Sequence, residues 1–215
     1  DKFDVEPYKD NDPLNGVSTF DLVLINKHIL GIEPLNTPYK MIAADANNSN
    51  AITTFDIVEL RKLILGIYQR LPNNTSWRFI DATHVFTNSL NPFIDAPFPV
   101  TITCVEAPAA DLDFVAVKVG DVNGNAVANS RPAERPVLTL DFGGGAQAKG
   151  QAFAVPVTYT GERPLEAFQM GLRFDPATLE LLGPSLGDLP GQTPDHFGLG
   201  RAAEGEIRTL WLSPT

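Results

Sequence analysis

Asp45, Asn47 and Ser49 stand at alternate positions in "DANNSNAITTFD", and Asp56 closes the stretch eleven residues after Asp45. A twelve-residue loop with oxygen donors at positions 1, 3, 5, 7, 9 and 12 can wrap a hard divalent cation. Counted from Asp45, those positions hold Asp45, Asn47, Ser49, the carbonyl of Ala51, Thr53 and Asp56. Position 6 is Asn50, which tolerates the left-handed backbone that such a loop needs there. The set contains only hard oxygen donors, so the cation it suits is Ca2+. A second reading stays open: Thr53-x-x-Asp56 is also a helix-capping pattern, and Asp45 to Ser49 also reads as an Asx-rich turn.

A related spacing precedes it. From Asp10, position 3 is Asp12, position 7 is Gly16, position 9 is Ser18 and position 12 is Asp21. Position 5 is Leu14, which has no side-chain oxygen, and Pro13 stiffens the loop. Capping by Ser18 and Asp21 is the stronger competitor here. A third fragment, "GDVNGNAVAN", places Asp121, Asn123 and Asn125 at alternate positions with no helix after them. It reads either as half a cation loop that shares an ion with a neighbouring loop, or as an Asn-Gly turn at a domain boundary.

The elements that must position these loops come from an internal repeat. "VSTFDLVLINKHILGI" (17–32) aligns with "ITTFDIVELRKLILGI" (52–67), identical at nine of sixteen positions. Such self-similarity marks a duplicated supersecondary unit. Leu22, Ile25, Ile29 and Ile32 recur at helical spacing, as do Ile57, Leu60, Ile64 and Ile67. Gly31 and Gly66 sit where helix C-termini favour glycine. The duplication shifts the balance at Asp45–Asp56 from capped turn toward calcium.

Other segments read as strands. Residues 1–9 alternate, with Phe3 and Val5 on one side, as the end of a preceding β domain. "SWRFIDATHVF", "FPVTITCVEA" and "DFVAVKVGD" form a β extension packed on the helical pair. "ANSRPAERP" (128–136) reads as a linker. From 137 on, "PVLTLDFGG", "QAFAVPVTYTG", "EAFQMGLRFDP", "LELLGP" and "EIRTLWLSP" are strand-like pieces separated by Gly and Pro turns.

Two loop–helix copies, each ending "ILGI", resemble the type I dockerin, a duplicated F-hand calcium module that binds cohesin domains. "GVSTFDLVLINKHILG" and "FVAVKVGDVNG" are also similar to dockerin-like regions of large Bacteroidota-type secreted surface proteins. "VPVTYTGERPLEAFQMGLRFDPATLELLG" resembles part of a cohesin-like β-sandwich. The resemblance implies a multidomain α+β chain: a preceding strand at 1–9, a dockerin-like calcium module with β extension at 10–127, the linker, and a partial cohesin-like all-β sandwich at 137–215. It also implies a cohesin-type partner, or another copy of this protein, held at Thr19, Phe20 and Lys27 and at their repeats Thr54, Phe55 and Lys62. Val23 and Val58 join that face because they, too, are identical between the copies. The alternative for the two Phe residues is mutual packing in a pseudo-symmetric core.

Composition bounds the partners. A formal charge of −10 argues against nucleic acid and against an anionic membrane surface. Cys104 is the one cysteine, so no intrachain disulfide forms. His28, His84 and His196 lack metal-ligand spacing, and no nucleophile elbow or phosphate loop is present. The expectation is a non-catalytic, secreted or cell-surface assembly segment, capable of growing into a filament. Two alternatives are an accessory region of a secreted glycoside hydrolase or peptidase, and a carbohydrate-binding β-sandwich using Trp77 and Trp211.

Overall fold

The computed structural model describes residues 2–96, 100–103, 113–127, 140–142, 145–161 and 164–214. Cys104 and the 128–136 linker lie outside the described residues, as do the side chains of Phe3 and Val5. Three helices form: α1 (Thr19–Ile29), α2 (Pro38–Ala44) and α3 (Thr54–Ile64). Nine short strands form four antiparallel sheets among the described residues.

Helices α1 and α3 are the repeat. Each begins in a capping box. Asp21 receives the Ser18 N–H at α1, and Asp56 receives the Thr53 N–H at α3. Each ends in the same Schellman turn, where Gly31 and Gly66 take positive φ (70° and 72°) and the next N–H returns to the Lys27 or Lys62 carbonyl. The chain leaves the helix there, so Ile32 and Ile67 are exposed and do not continue the buried stripe. Leu22, Ile25, Ile57, Leu60 and Ile64 are buried as their spacing requires. α2 has no counterpart in the periodicity; Thr37 caps it through the Lys40 N–H and Pro38 fills its first turn.

Strand β1 (Lys2–Val5) pairs with β3 (Val100–Thr103), and β2 (Trp77–Asp81) with β4 (Phe114–Lys118). Ile80 and Val117 of this second pair, with Val119 just beyond it, enter the core formed by the helices. Gly120 continues that link by donating its N–H to the Ala43 carbonyl at 2.8 Å. Further along, β5 (Leu140–Phe142) pairs with β6 (Val157–Tyr159). β7 (Ala167–Arg173) and β8 (Phe197–Gly198) flank β9 (Glu206–Leu212).

The fold differs from a dockerin module followed by a cohesin-like sandwich. A sandwich needs two sheets that bury their inner faces on one another. Here the three-stranded sheet packs on α1 and α3, and Leu210 of β9 is fully buried in the same apolar cluster as Leu22, Ile25 and Leu60. Phe153, Val155 and Val157 on the β6 side are exposed. "LELLGP" forms no strand. The chain is a mixed α+β fold in which the late strands complete the helical core. Alternation marked β5, β6, β7 and β9 as strands; it did not show what their apolar sides would face.

Candidate metal centres

The loop at 45–56 folds around two buried carboxylates. Asp45 Oδ1 accepts the Ser49 N–H at 2.8 Å and Oδ2 accepts the Asn50 N–H at 3.0 Å. Asp56 Oδ1 accepts the Asn47 N–H at 3.1 Å, and its Oδ2 accepts the Thr53 N–H at 2.8 Å. Asn47 Oδ1 also accepts from Ser49 N, and the Ser49 hydroxyl donates to the Ala51 carbonyl. The backbone turns in through Asn48 and Asn50, both left-handed. These bonds tie Asp45, Asn47, Ser49, Ala51, Thr53 and Asp56 into one turn.

The first helix has an equivalent centre, but its two halves are far apart in sequence. Asp21, at the start of α1, receives the Asn123 N–H on Oδ1 at 3.2 Å and the Ser18 N–H on Oδ2 at 2.9 Å. Asp121 Oδ1 accepts the Asn125 N–H at 3.1 Å and Oδ2 accepts the Ala126 N–H at 2.7 Å. Asn123 Oδ1 accepts from Asn125 N. Each bond repeats one in the continuous loop, with Asp121, Asn123 and Asn125 standing for Asp45, Asn47 and Ser49, and Asp21 for Asp56. Gly124 is left-handed where Asn48 is. The Asn-Gly fragment is therefore the first half of a composite loop that closes on α1.

The two halves are fastened at their meeting point. Asn15 donates its Nδ2–H to the Val127 carbonyl at 2.8 Å and accepts the Val127 N–H on Oδ1. Gly16 lies against Ala126 so closely that an added Cβ would sit 2.7 Å from the Ala126 Cβ. Asp10 is engaged elsewhere: its Oδ1 accepts both the N–H and the hydroxyl of Ser76 at 2.9 Å, and Arg70 lies 3.4 Å from its Oδ2. Asp12 is exposed in a left-handed turn whose carbonyl accepts from Asn15 N. Asp121, one hundred residues after Asp21, takes the place that spacing assigned to Asp10. Alternate Asp and Asn in "GDVNGN" was the available signal; its partner helix could not be read from local spacing.

Both centres strain against burial. Burial pushes the Asp21 carboxyl up from 3.8 to about 6; the Ser18 hydrogen bonds oppose this and the nearby Asp121 charge adds to it. Asp45 is also raised, chiefly by burial, with Ser49 and Asn50 N–H groups opposing and Asp56 adding. Cations from the β2–β4 pair stand behind both centres. Arg78 lies 3.6 Å from Asp45 Oδ2. Lys118 is buried, donates to the Pro13 and Val119 carbonyls, and feels Asp121, Asp10, Asp21 and Asp12. Sequence reading singled out neither cation.

The donor chemistry of each centre is two carboxylates with amide, hydroxyl and carbonyl oxygens, which fits calcium and not a thiolate- or imidazole-seeking metal. No group of three or more His, Cys, Asp or Glu able to hold a metal exists among the described residues, so an ion held at either centre would need the neutral oxygens as well. The histidines have other partners: His28 Nδ1 accepts from Leu35 N, His196 lies buried against Thr193, and His84 packs edge-on against Phe86.

The expected partner face is divided. Phe20, Phe55 and Val58 are exposed, at 54%, 71% and 40%. Thr19 is buried, with its N–H on Gln169 Oε1 of β7 at 3.1 Å. Val23 is half-buried, and Thr54 is exposed. Lys27 faces Glu33, and Lys62 bonds the Tyr68 hydroxyl. The two Phe side chains are too exposed to form a shared core. Trp77 and Trp211 are buried, the first with Lys9 over its ring and the second donating Nε1–H to the Pro190 carbonyl, so neither offers an open stacking face. No family model, curated protein or solved structure matches the chain.

Proposed function

We propose that the chain is a calcium-stabilised, non-catalytic binding segment of an extracellular or cell-surface assembly, which holds a protein partner on the strip around Phe55 and Val58. The observation that carries this is the bond-for-bond match between the two carboxylate centres. A helix cap needs only the Ser18–Asp21 or Thr53–Asp56 pair. It gives no reason for Asp121, Asn123 and Asn125 to repeat Asp45, Asn47 and Ser49 in front of the other helix. Placing four buried carboxylates and their neighbouring amide oxygens in two like turns is what a hard cation would offset. Two carboxylates per centre make for weak sites, which suit the high calcium of an extracellular setting.

Isothermal titration with calcium tests it, read beside melts of the same protein. Two ions per chain are expected, falling to one in Asp45→Asn and to one in Asp121→Asn. A melting temperature that rises with calcium would accompany them, because an ion bound only by the folded state stabilises it. No heat of binding and superimposable melts would leave the carboxylates as helix caps and defeat the proposal.

A further inference from the structure

Two polar atoms face each other across the segment that leads out of β2. His84 Nε2 and Asp95 Oδ1 lie 4.0 Å apart, and neither has a hydrogen-bond partner among the described residues. That separation is too long for a hydrogen bond. Both atoms are sealed from solvent, although the side chains are 19% and 23% exposed. Each residue is held in place by other contacts. The Asp81 carbonyl accepts the His84 N–H at 3.0 Å, and Asp81 Oδ1 accepts the N–H and the hydroxyl of Thr83. The His84 ring packs edge-on against Phe86, which packs edge-on against Tyr39 of α2. Asp95 Oδ2 accepts the Thr87 N–H at 2.9 Å. The turn before it, Pro92–Ile94, buries Pro92 and meets α2. One oxygen of Asp95 thus closes the loop 87–95, and the other is aimed at an imidazole.

We propose that His84 and Asp95 form a proton-operated clasp, which holds the 84–95 segment down in mild acid and releases it above neutral pH. A neutral imidazole offers Asp95 either a lone pair, which repels it, or an N–H too distant to bond. Protonation puts an N–H on Nε2 whichever tautomer precedes it, and an imidazolium–carboxylate bond draws in to about 2.8 Å. Asp95 stays ionised throughout. The Thr87 N–H and hydroxyl hold its carboxyl below the usual carboxylate range, and His84 adds to that. Asp81 also feels His84 and is lowered, first by the Thr83 hydroxyl and N–H. From α2, Tyr39 stands behind Phe86; from the β4 side, Asp113 presents its backbone carbonyl, which accepts the Ala82 N–H at 2.9 Å. Phe86, Pro92 and Phe93 anchor the segment, but Val85, Leu90 and Ile94 are exposed, so one ion pair is a sizeable part of what holds it down. Closure is favoured while the imidazole is charged and is lost as pH rises through about 5 to 8. The clasp uses none of the residues of either carboxylate centre and does not rest on calcium binding.

Amide hydrogen exchange of the full chain, read by mass spectrometry at about pH 5.5 and about pH 8 and corrected for the intrinsic pH dependence of exchange, tests it. Opening of the 84–95 segment is expected to be about three- to tenfold rarer in acid. His84→Gln and Asp95→Asn should each remove that difference. The double variant should behave like either single one, because both break the same bond. The acid dependence that buried Asp21 and Asp45 give the whole chain is common to parent and variants, so it cancels in the comparison. Asp95→Asn keeps an oxygen for the Thr87 N–H, and melting temperatures check that each variant folds; if that one is loosened, His84→Gln decides alone. Equal opening of the parent segment at both pH values overturns the proposal, as does a difference that persists in His84→Gln.

Discussion

The carboxylate of Asp21 sets up a test in which pH and calcium oppose each other. Its folded pKa is about 6 against an ordinary 3.8, because the group is buried beside Asp121. A carboxyl raised on folding binds its proton more tightly in the folded state, so the folded state is favoured at low pH. The stability tied to it is fully present below about 3.8 and is lost as pH rises through about 6. A shift of roughly two units corresponds to at most about 3 kcal/mol. For a chain of this length, unfolding as one unit, that is on the order of 5–10 °C in melting temperature. Metal-stripped protein should therefore melt higher at pH 4.5 than at pH 7.5. Calcium should erase the difference, since it replaces the proton at neutral pH and is displaced by it in acid. In Asp21→Asn the Oδ1 still accepts from Val122 and Asn123, while the amide nitrogen opposes the Ser18 N–H and costs about 1 kcal/mol of capping. The variant should show a shallower acid dependence, because Asp45 is still raised, and a calorimetric stoichiometry one ion lower. Calorimetric scans of stripped and calcium-loaded protein across that range decide the matter. Stripped wild type whose melting temperature does not change from pH 4.5 to 7.5 would refute the reasoning, whatever calcium then does.

Other expectations follow from single contacts. Leu210→Ala should lower stability by about 2–5 kcal/mol in urea, within one cooperative transition, because Leu210 is fully buried between sheet and helices. Two transitions, with only the second shifted, would mean the sheet folds as its own domain. Gly16→Ala and Gly31→Ala both place a side chain at positive φ, but only Gly16 faces Ala126 at 2.7 Å. The second should cost about 1 kcal/mol and leave calcium binding unchanged; the first should cost more and weaken the composite site in a calcium titration. Asp10→Asn should leave the calcium stoichiometry at two while destabilising by about 1–2 kcal/mol through its bonds to Ser76, measured by thermal melts.

Local features of the helices were legible because short-range chemistry fixes them. Capping boxes, the 3.6-residue stripe and the C-terminal glycines are each decided within a few residues, and the repeat exposed them twice. The continuous loop was legible for the same reason. α2 escaped because seven residues are too few to develop a periodic stripe, although Thr37 and Pro38 did mark its start. The composite centre escaped because Asp21 and Asp121 are joined by tertiary closure, and spacing placed Asp10 where Asp121 stands. The docking of β7–β9–β8 escaped because a strand's apolar alternation states that one side is buried without naming its neighbour. Leu210 would alternate in the same way facing a second sheet or facing a helix pair.

The buried cations give the carboxylate pairs a second meaning. Taking a carboxylate out of water is costly unless a charge or several N–H groups replace the solvent. Arg78 and Lys118 do part of that from adjoining strands whose register sets Trp77 opposite Lys118. Burial lowers Lys118 to about 8, opposed by the facing aspartates, and below that pH its ammonium is held by them together with the Pro13 and Val119 carbonyls. With Arg78 and Lys118 present the fold can close before any ion arrives, and the charge left over on each centre is what a divalent ion would meet. In this arrangement a bound calcium would tighten an already closed fold, unlike a zinc finger, which is unfolded without its metal. Metal-stripped protein should thus keep its helical circular dichroism at pH 7 while its melting temperature falls. Complete loss of helix on stripping would show that the two built-in cations do not offset the aspartates and that the ion is needed for closure itself.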